Sequence, residues 1–392
     1  MQGFPPAPED QVTLANWRKP SWLRWSFQHV RELVPSADIP NAPGGARALP
    51  RALADLSGLT VPDGDKSLPF AEFLTHTQTD ALVVLHHGKL VFEYYANSMT
   101  PETPHILMSV SKSVLGLIAG VLTGQRALDP EALVTAYVPE VAGTAYAGAR
   151  VRDLLDMRAG VKFDEDYLAT EGAIVEYRKA TNWGPLEPGQ RPTDLRSFFA
   201  TLTEPDQPHG RPWHYISPNT DLLGWVIERA SGRRYADLAS DVLWQPMGAE
   251  RPAYITVDRL GAPRAAGGFC CTARDLARLG LLFAEGGRGV IPGTWLDDIL
   301  TGGDKAAWEA SAGLAKYLGL PMRYRSQWYV LVRPSPIVFA IGVYGQSLFV
   351  DPANGVVMAK VSCQDLPVDL ERKMLTIRAA EAVRDFLTGT GG

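Results

Sequence analysis

Three cysteines in 392 residues leave little to cross-link this chain. Cys270 and Cys271 are adjacent and Cys363 stands alone, so neither a disulfide framework nor a zinc-ligand spacing is present. Buried thiols in a reducing cytoplasm are the expectation. No apolar run reaches the length of a membrane span. Met1-Gln2-Gly3-Phe4-Pro5-Pro6 has no charged n-region and no apolar h-region, which fits no signal peptide and a cytoplasmic placement. Positive charge is not in excess: 38 Lys and Arg face 43 Asp and Glu, a net charge of -5, so no basic surface offers itself to nucleic acid. A Walker A loop, G-x-G-x-x-G, H-E-x-x-H and any G-x-S-x-G are also missing, which excludes the usual phosphate loops, a zincin site and a nucleophile elbow. Asp164-Glu165-Asp166 opens like a calcium loop, but its glycine and terminal glutamate are misplaced, so it reads as a solvated acidic loop. His86 and His87 flank a hairpin turn and read as exposed. No metal and no organic cofactor is called for.

What is abundant is apolar: 46% of the residues are hydrophobic, enough for one large or two interlocked domains. The first 50 residues, rich in Pro, Trp and Arg, read as an arm over a domain surface with one short helix near Ser26 to Leu33. The Pro-rich stretches 40–50 and 61–70 read as loops. Ala81 to Tyr95 reads as strand, turn, strand. Helical texture then runs to Gly286: Val151-Leu155, Asp194-Leu202, a helix capped by Thr220-Asp221 and ended at Ser231-Gly232, one over Tyr235-Val242, and one opened by Thr272. From about 326 the period switches to two, giving strands at 328–332, 337–343, 347–350 and 356–361, and a last helix spans about 368–387. Strands at both ends and helices between predict a mixed α/β (α+β) fold. Its antiparallel sheet, flanked by helices, is built from 1–127 and 275–392, an all-helical domain is inserted, with 128–274 mostly helical, and the active site lies in the cleft between them.

The chemistry centres on Met108-Ser109-Val110-Ser111-Lys112-Ser113, which opens an apolar helical run to Gly124. Ser109 and Lys112 are three apart, so on a helix they share a face. Burial penalises a charged amine, and a neutral Lys112 could take the Ser109 proton and make a nucleophile. A second proton handler and two N–H donors for an oxyanion are then required. Tyr215, just before the next helix, is the candidate for the first. The N–H groups of Ser109 and Val343 are candidates for the second, with Gly342 letting substrate approach.

With these segments in order, the chain resembles the serine β-lactamase and DD-peptidase superfamily on its class C-like branch. The resemblance is carried by Ser109-x-x-Lys112, Tyr215-x-Ser217 with Asn219-Thr220-Asp221-Leu222-Leu223-Gly224, and Gly267-Gly268-Phe269 through Arg278. Over nearly the whole length it is similar to the nylon-oligomer (6-aminohexanoate-dimer) hydrolases, including Thr13-Leu14-Ala15-Asn16-Trp17 and Asp164-Glu165-Asp166-Tyr167. The resemblance implies Ser109 as acylated nucleophile, Lys112 as base, Tyr215 as proton relay, and Tyr167 as a substrate hydrogen-bond donor on a mobile loop. Ser217, Arg178, Ala266 and Ile341 would be further substrate-side positions. Ala340-Ile341-Gly342 stands where lactamases carry K-T-G, which counts against lactamase and transpeptidase activity. Arg178 and Ala266 stand where the dimer hydrolases have an acidic residue and an Asn; Arg178 would repel a free amine. The expectation is a serine hydrolase of small linear amides and carboxyl esters. The alternatives are a carboxylesterase with little amidase activity and a non-catalytic binding protein of the same fold. Relatives suggest a homodimer, with the tryptophan-rich arm as a contact.

Overall fold

The structure, a computed structural model, describes residues 1, 3–311 and 318–389. Its centre is a seven-stranded antiparallel sheet. The strands are β1 (Thr79–His86), β2 (Lys89–Tyr95), β3 (Met322–Arg325), β4 (Trp328–Leu331), β5 (Ile337–Ile341), β6 (Ser347–Asp351) and β7 (Val356–Ser362), in the spatial order β2-β1-β7-β6-β5-β4-β3. The two chain ends meet where β1 pairs with β7, Val84 opposite Met358. Alternation along the strands sorts side chains into two layers. Ala81, Val83, Leu85, Val357 and Ala359 join one buried cluster, and Leu82, Val84, Val356 and Met358 join the other.

The first layer is covered by α1 (Val110–Gly124) and by α4 (Ala273–Ala284), which lies across β7, β6 and β1, and α3 (Ser217–Ser231) packs against α1. The second is covered by the terminal helix α5 (Leu370–Thr388), through Leu375, Ile377, Ala379 and Val383. A shorter helix, α2 (Ala173–Ala180), stands beside the cleft. Helix α1 is buried from Val110 to Leu122. Gly116 and Gly120, one turn apart, allow its close packing: a Cβ would sit 2.2 Å from the Ser326 carbonyl oxygen at the first and 2.4 Å from the Trp295 ring at the second.

The sequence reading holds for β1, β2, β4 to β7, α1, α4 and α5, and fails in identifiable places. Thr60–Asp63 and Lys66–Pro69 form a two-stranded ribbon rather than a loop; Pro62 and Pro69 are tolerated because a ribbon has two open edges. The arm helix is Pro20–Ser26, followed by a single 3-10 turn at Val30–Glu32. Helix α3 begins at Ser217, not at Thr220: Pro218 presets the first turn, and Thr220 and Asp221 are buried inside the helix. The stretch 128–274 is not all-helical. Its strands Ala253–Thr256 and Phe269–Cys271 pair with Ser36–Ile39 and His105–Ile106 in a four-stranded sheet. All three cysteines are free and buried. Among the described residues no helix is long and apolar enough to cross a membrane.

Candidate active site

Ser109 caps α1 just after Met108, whose φ of 47° is an uncommon left-handed value for a non-glycine residue. The turn sets the serine in the wall of a cavity of about 750 Å3. Phe163, Trp213, Tyr329, Ile341, Leu366 and Val368 give that cavity an apolar wall. Lys373 of α5 also lines it, its amine pushed down to about 8 by burial.

Lys112 lies one turn along α1 and is 1% exposed. Its Nζ is 2.9 Å from Ser109 Oγ, 3.1 Å from Ser217 Oγ and 2.7 Å from the Ala266 carbonyl oxygen. Burial pushes its pKa down to about 7, against an opposing pull from Glu165. A neutral amine has two N–H groups and one lone pair. The Ala266 carbonyl can only accept. Ser217 donates its own hydroxyl to Glu165 Oε1 at 2.5 Å, so toward Lys112 it too accepts. Both N–H groups are thereby committed, and the lone pair is left for the Ser109 hydroxyl.

Tyr215 is hydrogen-bonded to Ser109, and its ring centroid is 4.9 Å from Lys112 Nζ. Burial pushes its pKa well above the ordinary value, so the phenol keeps its proton. Ser217 and Asp221 share a face of α3, being four apart. Asp221 forms a buried ion pair with Arg264, accepts from Tyr177, and takes the Ala266 amide at 2.7 Å. That grip aims the Ala266 carbonyl at Lys112. Gly342 sits against the Ser109 turn: a Cβ there would lie 3.0 Å from the Ser109 nitrogen and 2.8 Å from the Leu107 carbonyl oxygen. The absent side chain brings the end of β5, and with it Val343, up to the serine. Ser109 and Val343 both line the cavity.

The other positions singled out in the sequence are also placed. Tyr167 lines the cavity and hydrogen-bonds with Glu165; burial raises its pKa well above normal. Arg178 of α2 donates to the carbonyls of Asp166, Tyr167 and Ala169, so it fastens the Tyr167 loop. Ile341 ends β5 at the cavity wall.

Glu165 corrects the sequence reading. Asp164 and Asp166 are exposed, but Glu165 turns inward and accepts from both the backbone N–H and the hydroxyl of Ser217. The acidic run masked it, and its partner lies 52 residues away. Arg18 was also missed; it reaches a cavity bordering Ser109 from the N-terminal arm, and no local motif marks it.

A family model described as Beta-lactamase matches residues 70–382. The chain belongs to the β-lactamase family. This β-lactamase-family hydrolase is 34% identical to the 6-aminohexanoate-dimer hydrolase of Paenarthrobacter ureafaciens over 365 residues, covering 92% of this chain and 90% of that one. Among solved structures, the "Putative 6-aminohexanoate-dimer hydrolase from Bacillus anthracis" superposes with a TM-score of 0.87 at 26% identity, covering 98% of this chain and 99% of that one. EstCE1, a hydrolase with promiscuous acyltransferase activity, has a TM-score of 0.60 at 17% identity over 79% of this chain and 97% of its own, a likeness of fold alone.

Proposed function

We propose that this family member hydrolyses small linear amides, in the manner of a 6-aminohexanoate-dimer hydrolase, and carboxyl esters, through an acyl-enzyme on Ser109. One observation carries the reading: the hydrogen-bond partners of Lys112 use both its N–H groups and leave its lone pair to Ser109. Ser109 Oγ attacks the substrate carbonyl carbon as its proton passes to Lys112 Nζ. The carbonyl oxygen becomes an oxyanion held by the amides of Ser109 and Val343. Tyr215 gives its proton to the leaving nitrogen or oxygen and recovers one from Lys112. Water then attacks the acyl carbon, its proton taken by the Lys112–Tyr215 pair, and the acid leaves with Ser109 restored. The apolar cavity accommodates methylene chains, and Tyr167, which lines it, would donate to the bound amide once its hydroxyl turns from Glu165.

The test is turnover of p-nitrophenyl esters and of a linear amide by wild type and Ser109→Ala, with labelling by a fluorophosphonate probe. The variant should lose at least a thousandfold in kcat and all labelling. Undiminished turnover in Ser109→Ala sinks the reading, and a wild type that neither turns over nor labels is a binding protein.

A further inference from the structure

A second cavity, about 40 Å3, also borders Ser109, Tyr167 and Val343, and reaches back to Arg18, Arg178 and Arg264. That is several times the roughly 10–15 Å3 one water needs. Its three guanidinium groups are not equally satisfied. Arg264 is paired with Asp221. Arg178 spends its donors on three backbone carbonyls, which bring no negative charge. Arg18 lies over the rings of Trp17 and Trp183, 5.5 and 5.9 Å from their centroids, and its buried Nε–H finds no acceptor among the described residues. The Nε–H groups of Arg18 and Arg264 are buried and unpartnered. Of the carboxylates that face these three cations, Asp221 is paired with Arg264, Glu165 is committed to Ser217 and Tyr167, and Asp166 acts on Arg178 from the exposed loop. Burial, with repulsion from Arg178 and Arg264, pushes the Arg18 pKa down to about 10 against support from Tyr344. A buried donor without an acceptor is costly, and a charge-assisted bond to a carboxylate is among the strongest remedies. An ammonium group would instead be a fourth cation.

We propose that this cavity binds a carboxylate of the substrate through Arg18, so that the preferred substrates are small amides or esters bearing a free carboxylate rather than a free amine. Its catalytic arm rests on Ser109 acting as the nucleophile; its binding arm does not. Four amides of nearly equal length separate the cases. N-hexylhexanamide is neutral, hexanoyl-6-aminohexanoate carries a carboxylate on the amine part, the mono-hexylamide of adipic acid carries one on the acyl part, and 6-aminohexanoyl-hexylamide carries an ammonium.

One of the two carboxylate amides should exceed the neutral one at least tenfold in kcat/KM, and the ammonium amide should fall below it. Whichever carboxylate amide wins names the end that enters the cavity. The preference should shrink as salt is raised, drop to near unity in Arg18→Met, and survive in part in Arg18→Lys. Calorimetric titration of wild type with hexanoate and with hexylamine reads the same cavity without catalysis, and hexanoate should bind at least tenfold tighter. An ammonium or neutral amide turned over as well as both carboxylate amides, or hexylamine binding as tightly as hexanoate, overturns the proposal. Failed turnover with hexanoate still preferred would instead count against Ser109 as nucleophile.

Discussion

At the scale of single residues, the proposed chemistry is set by what surrounds Lys112. An amine in water titrates near 10.5, whereas burial brings this one down to about 7. Only its neutral form can accept the Ser109 proton. The kcat/KM for a neutral ester should therefore fall tenfold per pH unit below about 7 and level off above it. Tyr215, with its pKa raised, stays protonated across that range and adds no second limb near neutrality. A pH–rate profile from 5 to 9 checks this, and a profile flat down to pH 5.5 would rule out Lys112 as the base. Tyr215→Phe separates leaving groups: an alkyl amine must be protonated to depart, and p-nitrophenolate need not. Turnover of a linear amide should fall at least tenfold more than turnover of a p-nitrophenyl ester, and equal losses would remove Tyr215 from the proton relay. Ser109 and Lys112 were legible because one helical turn links them. Tyr215 was legible because it comes just before the next helix, and Ser217 only through the Tyr215-x-Ser217 resemblance. Glu165 was not, because its exposed neighbours hide it and its partner belongs to another element.

At the scale of elements, periodicity found the strands and helices that bury one face, and it missed those whose signal is a close approach. Thr220 and Asp221 have the chemistry of caps, yet tertiary partners claim both inside α3: Gln327 for Thr220, and Arg264 with the Ala266 amide for Asp221. The Pro-containing ribbon at 60–69 looked like a loop because proline is rare within strands that have neighbours on both sides. Helix α1 makes the packing argument testable. Gly116→Ala gains about 1 kcal/mol of helix propensity but overpacks against the Ser326 backbone, where a Cβ would come within 2.2 Å of the carbonyl oxygen. Overpacking typically costs about 1–3 kcal/mol, and a backbone oxygen yields less than a side chain does. The clash should win, lowering stability by roughly 1–2 kcal/mol in urea unfolding. A stabilised variant would mean that α1 slides freely over β4.

At the scale of the molecule, the sheet is complete only when residues 79–95 and 356–362 pair, so the site depends on contacts between distant parts of the chain. The joining of both ends was readable from strands at each end; the pairing of Ala253–Thr256 with the arm was not, because strands four residues long carry little pattern. Within the joint lies Lys360 of β7, 0% exposed, hydrogen-bonded to Ser362 Oγ and near the carbonyls of Thr77 and Gly345. Asp80 and Cys363 favour its charge and Arg372 opposes it, but burial dominates and brings it down to about 7. Between about 7 and 10.5 the unfolded chain therefore holds a proton at this position that the folded chain does not. Stability rises with pH wherever the unfolded state binds more protons, so this lysine makes the fold firmer as pH climbs through that window. Lys112 and Lys373 act in the same direction. Lys360→Met removes one of these three contributions. Its advantage over wild type in urea midpoint should be largest at pH 7 and shrink steadily toward pH 10. A difference that stays constant across those pH values would mean that Lys360 keeps its charge in the folded sheet.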